Sequence, residues 1–376
     1  MKVLVIPDKF KGSLSCKGVI EAIEKGILKA KPDAKLYSVI SSDGGDGFLN
    51  AVSENINCEE INAETFDPLG RKIKASYLIS SDGKTAYIEL AKASGLELLS
   101  ENERNVSISS TFGTGLQIKE AIARGVNSIY LGLGGSATND GGMGIAVALG
   151  YSFFDSSGNI LKPVGKNLCQ INSIEFDSNR TEMDKISFFA VNDVDNPLYG
   201  PEGAAYTYAE QKGADAATVK MLDQGLKNLA AVVKNKFARD MADSSGAGAA
   251  GGTAYGLKVF LDAIFIKGID FVLDLGKVAD LLSHQKFDYI ITGEGKFDQQ
   301  TLRGKLIKGI VLLGKRYNVP VIVVCGWFDM AKENIEELKL HEVLEIKDAS
   351  RPISYSIENA AMLIERTVRI FFKNKN

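Results

Sequence analysis

Histidine and cysteine are scarce in this chain: two and four among 376 residues. The two histidines, His284 and His341, leave little room for a histidine-based metal centre. Cys16, Cys58, Cys169 and Cys325 stand far apart with no CxxC spacing, so neither a disulfide framework nor a zinc site is indicated. Neither sign of charge is in large excess. Lys plus Arg number 44 and Asp plus Glu 47, a net charge of −3, so no basic field points to nucleic acid. No apolar run approaches membrane-spanning length. The strand-like start, Met1-Lys2-Val3-Leu4-Val5-Ile6, meets Pro7 and Asp8 too soon for a signal h-region. The expected setting is the reduced cytoplasm, with no nucleic-acid or membrane partner.

What remains is an ordinary globular composition, 45% hydrophobic and 24% charged. A chain of 376 residues is expected to form two domains and to bury full cores without staples. The most informative stretch is Gly132-Leu133-Gly134-Gly135-Ser136-Ala137-Thr138-Asn139-Asp140-Gly141-Gly142, which follows a β-leaning run. Its glycines let backbone approach a ligand with no Cβ in the way. Ser136, Thr138, Asn139 and Asp140 bring hydroxyl, amide and carboxylate groups to the same place. Bare N–H groups after a strand suit an anion such as phosphate. A plain mobile turn needs fewer glycines and fewer polar neighbours.

Five short apolar segments read as buried parallel strands: 3–7, 35–41, 288–292, 321–325 and 342–346. Each adjoins a helical pattern, such as Val19, Ile20, Ile23 and Ile27, or Leu306, Ile307, Ile310 and Val311. Two at one end of the chain and three at the other suit one doubly wound parallel sheet of order 2-1-3-4-5, closed by a helix over about 357–372. The middle of the chain is then an insertion. Within it, 66–90 reads as a hairpin, 188–191 as a strand, and Val219, Leu222, Leu226, Leu229 and Val233 as one face of a long helix. The segment Gly246-Ala247-Gly248-Ala249-Ala250-Gly251-Gly252 suits either close packing or a second ligand loop.

Ligands of a doubly wound sheet bind where its strands end. The first strand ends at Pro7-Asp8-Lys9-Phe10-Lys11-Gly12-Ser13, where Ser13 or Ser15 can cap a helix. The second ends at Asp43-Gly44-Gly45-Asp46-Gly47, and the third at Gly293-Glu294-Gly295-Lys296. The insertion adds the long glycine loop and Asn192-Asp193-Val194-Asp195-Asn196. These are the places where glycine, acid and base cluster, and they are expected to line one common cleft. Asp193 stands first as base or metal ligand, then Asp43 and Asp195. Lys9, Lys11, Lys212 and Lys296 are candidate partners for anionic groups.

Two motif matches carry less. Residues 309–315 spell G-x-x-x-x-G-K, but Arg316 follows and Ile310, Val311, Leu312 and Leu313 intervene, the pattern of a buried helix. Residues 132–137 fit G-x-G-x-x-A with Asp155 downstream, a weak dinucleotide fingerprint. It keeps a nicotinamide-dependent oxidoreductase open as an alternative. A non-catalytic two-domain binding module for an anionic metabolite is another.

The motifs taken together resemble the bacterial glycerate kinases of the type with neither a P-loop nor a sugar-kinase fold. The resemblance runs nearly end to end: PDKFKGS at 7–13, DGGDG at 43–47, GGSATNDGG at 134–142, DVDNPLYGPEGA at 193–204, QKGA at 211–214, GAGAAGG at 246–252 and GEGKFDQQT from Gly293 to Thr301. Lys9 stands where the family often has serine, and Lys296 where it often has arginine. The resemblance implies ATP- and Mg²⁺-dependent phosphorylation of D-glycerate, with 2-phosphoglycerate the expected product. It implies an α/β protein: a discontinuous flavodoxin-like doubly wound domain, 1–64 and 270–376, with a second α/β domain, 65–269, inserted. Asp193, Asp43 and Lys11 are the expected catalytic residues, and Asp193 with Asp195 the expected metal ligands. Substrate and phosphate contacts are expected from Asp8, Lys9, Gly134, Gly135, Ser136, Thr138, Asn139, Asp140, Asn196, Lys212, Gly293, Glu294, Gly295 and Lys296.

Overall fold

A computed structural model describes residues 1–42, 44–45, 47–176, 180–298, 306–329, 338–348 and 350–375. The chain forms two compact units, Met1–Ser42 with Gly268–Asn376, and Asp43–Lys267. Both are mixed α/β.

The first unit is built on five parallel strands. Their order from edge to edge is Glu342–Glu345, Val321–Asp329, Tyr289–Asp298, Lys2–Val5 and Lys35–Ser38. This is the 2-1-3-4-5 order expected from the apolar segments. Val3, Leu4 and Val5 are fully buried because helices cover both faces of a parallel sheet. Helix Cys16–Ala30 begins at Ser15, whose side chain accepts the Gly18 N–H at 3.2 Å. Its buried Val19, Ile20, Ile23 and Ile27 share a core with Leu363, Ile364, Val368 and Phe372 of helix Ala360–Lys373. Helix Leu306–Tyr317 buries Ile307, Ile310 and Val311, so the G-x-x-x-x-G-K string is helix and not a phosphate loop.

One expectation changes. Residues 293–296, read as a loop, continue the strand to Asp298 alongside Val321–Asp329, with Lys296 opposite Trp327 and Asp298 opposite Asp329. Phe297 is fully buried, its ring centroid 5.8 Å from that of Phe328. Glycine allows the two strands to stay close: a Cβ at Gly326 would lie 2.5 Å from the Gly295 carbonyl oxygen. The glycines that suggested a loop serve this approach.

The second unit carries a six-stranded sheet in the order Ile264–Ile266, Ser187–Val191, Ser128–Gly132, Thr85–Glu89, Lys72–Ser80 and Cys58–Phe66. The first four are parallel and the last two antiparallel. The strand Cys58–Phe66 pairs with Lys72–Ser80 along its whole length. Residues 44–64, grouped with the first domain on sequence, therefore pack in the second unit, through this strand and helix Phe48–Asn55. Helices Phe112–Ala123, Ala216–Phe237 and Ala249–Leu261 contribute buried faces to the unit. The parallel strands place four carboxyl ends side by side: Glu89, Gly132, Val191 and Ile266.

Gly26 tests the helix packing of the first unit. A Cβ there would lie 2.7 Å from the Glu365 carbonyl oxygen and 3.0 Å from Val368 Cβ. Gly26→Val should lower unfolding stability by about 1–3 kcal/mol. A urea midpoint equal to that of the wild type would show that the two helices do not need this close approach.

Candidate functional site

At the carboxyl ends of the second unit's sheet the chain packs backbone against backbone. Gly134 N–H donates to the Gly44 carbonyl at 2.9 Å, and Leu133 N–H to that of Val191 at 3.2 Å. Ala137 N–H donates to Ser94 O at 2.9 Å, and Gly141 N–H to Gly251 O at 3.1 Å. Side chains would block these approaches. A Cβ at Gly44 would overlap the Val191 carbonyl, and one at Gly134 would overlap Gly45. The loop's glycines thus serve interior packing first. Gly134 is half-buried and Gly135 exposed, with φ +71°. Ser136 is 7% exposed, and Thr138, Asn139 and Asp140 only 0–1%. The accessible part of the loop is Gly134 and Gly135, with Ser136 next to them.

Asp140 is a brace. Its carboxylate accepts the Thr111 N–H and hydroxyl, both at 2.8 Å, and the N–H groups of Gly142 and Gly144, both at 3.2 Å. It thereby ties the starts of helices Phe112–Ala123 and Met143–Ala148 to the loop. Burial raises its pKa, while these donors favour the charged form and oppose the rise. Thr138 Oγ1 and both amide atoms of Asn139 are buried with no hydrogen-bond partner among the described residues. The backbone that carries them is packed tightly, since a Cβ at Gly251 would overlap Thr138 O.

Lys212 is 3% exposed. Its Nζ contacts Ser136 Oγ at 2.7 Å and Thr138 O at 2.8 Å. Burial lowers its pKa to about 7, partly opposed by the charge of Asp140. It lies behind the loop, tied to it through Ser136 and Thr138.

The GAGAAGG segment resolves towards packing. Ala250, Gly251 and Gly252 all have left-handed backbones, with φ of 53°, 64° and 81°, at the start of helix Ala249–Leu261. For Ala250 that conformation costs roughly 1–2 kcal/mol.

Beyond strand Ser187–Val191, Asp193 and Asp195 are exposed. Asp195 accepts the Ser245 hydroxyl at 2.7 Å and has Lys267 Nζ at 3.9 Å. Asn196 is committed to its own loop: Nδ2 donates to Glu202 O at 2.7 Å and Oδ1 accepts from Tyr208 OH at 2.7 Å. Exposed carboxylate oxygens are the right donors for Mg²⁺, which needs one or two of them beside water and phosphate oxygens. Among the described residues no group of three or more His, Cys, Asp or Glu could form a closed metal cage. Asp193 and Asp195 fit the open kind of site.

In the first unit, Asp8 N–H donates to Gly293 O at 2.7 Å, and Lys9 N–H to Asp8 Oδ1 at 2.7 Å. Gly295 adjoins the same loop, since a Cβ there would lie 3.4 Å from Lys11 N. Asp8, Lys9, Lys11, Gly293 and Gly295 are therefore neighbours. Asp8, Lys9 and Glu294 are half-buried, Gly293 is buried, and Lys11 is exposed. Lys296 points to a different set: Asp298 at 3.1 Å and Asp329 at 3.5 Å, with its Nζ 5.8 Å from the Trp327 ring centroid. Asp43 lies outside the described residues.

Sequence reading missed Glu89. It ends strand Thr85–Glu89, is 1% exposed, and accepts the Leu49 N–H at 3.1 Å. It thus holds the helix that follows residues 43–47. The available signal was an acid closing the apolar run Ala86-Tyr87-Ile88.

Lys212 makes stability pH-dependent. Its ordinary value of 10.5 falls to about 7 on folding, so in that window the unfolded chain binds a proton that the folded chain releases. Stability should therefore rise with pH across the window. The advantage of wild type over Lys212→Met should grow by up to about 1.4 kcal/mol per pH unit, read by thermal unfolding between about pH 7.5 and 9.5. A pH-independent difference would show that Lys212 stays charged when folded.

Comparison with known proteins agrees in length and in fold. The sequence profile of the glycerate kinase family matches residues 3–374. A glycerate kinase of Bacillus subtilis is 37% identical over 369 residues, 98% of this chain and 96% of its own. A glycerate 2-kinase of Escherichia coli is 39% identical over 326 residues, 87% of this chain and 85% of its own. A crystal structure assigned to glycerate kinase 2 of Salmonella typhimurium superposes with a TM-score of 0.85 at 34% identity, covering 99% of this chain and 97% of that one. The chain belongs to the glycerate kinase family.

Proposed function

We propose that the chain transfers the γ-phosphoryl group of ATP to a hydroxyl of D-glycerate, giving 2-phosphoglycerate. Family membership makes it a kinase. The observation that carries the reading is the match to glycerate kinases over nearly all of the chain, with the specific motifs at 134–142 and 193–204 inside it. Nothing in the comparisons favours an oxidoreductase. No helix among the described residues is long and apolar enough to cross a membrane.

Phosphoryl transfer asks the protein for positioning and for neutralised charge. Gly134, Gly135 and Ser136 present the accessible part of the glycine loop to an anion, with Lys212 behind it. Lys9 and Lys11, beside Asp8, supply cations for a phosphate or for the carboxylate of glycerate. Gly293 and Gly295 allow the backbone approach there, and Glu294 and Lys296 flank it. Asp193 and Asp195 are assigned to the metal, and Asp43 and Lys11 are the further catalytic candidates. Magnesium held there would neutralise phosphate charge and orient the transferred group. Thr138, Asn139, Asp140 and Asn196 act by holding the loops that carry these groups.

ADP release on adding glycerate to protein, ATP and Mg²⁺, by a coupled assay, tests the reaction. Asp193→Asn keeps shape and removes charge, and turnover should fall at least ~10²-fold with thermal stability unchanged. Near-normal turnover by the folded variant at saturating substrate would remove Asp193 from the mechanism.

A further inference from the structure

Ser136 and Lys212 form a pair that the roles above use only as backdrop. An anchoring lysine needs only its positive charge and its donors, and Lys212 has both in its contacts to Ser136 Oγ and Thr138 O, 2.7 and 2.8 Å. Two further observations go beyond anchoring. The amine is 3% exposed, and the nearby acid, Asp140, spends its oxygens on Thr111, Gly142 and Gly144. Meanwhile Ser136 keeps 7% exposure beside the open Gly134 and Gly135, where Thr138, Asn139 and Asp140 keep 1% or less. Both side chains are buried, and Ser136 directly follows the exposed Gly135 along the loop.

The charged groups around Lys212 are few. Asp140 faces it from the glycine loop and favours its charged form. Gly213, next in sequence, packs on the backbone of Arg104, and Glu210 lies in the same short turn. Desolvation outweighs Asp140, which is why the amine titrates near neutrality, at about 7. In the structure Nζ donates to Ser136 Oγ at 2.7 Å, and a neutral amine has in addition a lone pair able to accept from that hydroxyl.

We propose that Ser136 and Lys212 are the proton route of the phosphoryl transfer, Ser136 touching the acceptor hydroxyl and Lys212 taking up the proton. This rests on the kinase reading above and assigns the base that the aspartates, engaged with metal, do not supply. The acceptor O–H bond breaks and its proton passes to Ser136 Oγ, while Ser136's own hydroxyl proton passes to Lys212 Nζ. The freed oxygen pair forms the new O–P bond. The bond from the γ-phosphorus to the bridging oxygen breaks, and its electrons leave on ADP. Lys212, now an ammonium, returns its proton to solvent before the next turnover.

The test is the pH profile of kcat for wild type, Lys212→Arg, Ser136→Ala and Ser136→Thr, with thermal unfolding of each. In the wild type kcat should fall tenfold per pH unit below an inflection at about 7, where Lys212 becomes protonated. Arginine keeps the charge and donors but accepts no proton. Lys212→Arg and Ser136→Ala should each lose at least ~10²-fold in kcat and lose the inflection. Ser136→Thr should restore both. With ε-¹³C-lysine, one resonance should titrate at about pH 7 and vanish in Lys212→Arg. A folded Lys212→Arg or Ser136→Ala that keeps the wild-type inflection overturns the proposal. If Lys212→Arg does not fold, the Ser136→Ala profile decides by the same criterion. No ADP release by the wild type would overturn the kinase reading and this proposal together. Wild-type turnover with unaltered variant profiles overturns the proton route alone.

Discussion

The glycine loop of the second unit depends on backbone meeting backbone at the carboxyl ends of that unit's parallel strands. Gly44 against Val191, Gly134 against Gly45 and Gly251 against Thr138 are approaches that a single Cβ would prevent. Interiors are packed densely enough that such contacts leave no slack. The consequence is a loop whose far half, Thr138 to Asp140, is core and whose near half opens at Gly134 and Gly135. Thr138 and Asn139 then carry polar atoms into the interior without partners there, a cost accepted where backbone placement matters more.

Electrostatics follow from that packing. Asp140, sealed inside, is stabilised by donors from two helix starts and serves as a structural anion. Lys212, sealed beside it, gets no ion pair of its own among the described residues and sits near the point where a lysine changes charge at neutral pH. The exposed acids, Asp193 and Asp195, lie at the end of the neighbouring strand. Buried groups fix geometry, and the carboxylates that stay exposed are the ones proposed above for the metal. Such a division suits phosphoryl transfer, in which the protein positions groups and offsets charge.

The parallel sheet of the first unit was legible in the sequence because its strands are short apolar runs next to helical faces. Strand order followed from two segments at one end of the chain and three at the other. Glycine was harder to read. In 293–296 it looked like a loop but lets two long strands lie close, as at Gly326 against Gly295. In 134–142 it looked like an anion cradle throughout, yet Asp140 and Thr138 are interior. A glycine tells of close approach but not of what approaches, because backbone and ligand leave the same mark on a sequence. The domain bound expected at 64 falls inside a strand, because Cys58–Phe66 pairs with Lys72–Ser80. Glu89 escaped notice because its role as a buried acceptor for Leu49 depends on a contact forty residues away.

We propose Gly134, Gly135 and Ser136 as the working surface of a phosphoryl-transfer site. A crystal structure of the protein with a non-hydrolysable ATP analogue, Mg²⁺ and D-glycerate tests it most directly. A phosphate or carboxylate oxygen should lie within hydrogen-bond distance of the Gly135 or Ser136 N–H, and the acceptor hydroxyl against Ser136 Oγ. Both ligands bound in catalytically competent positions with no contact to residues 134–136 would contradict it.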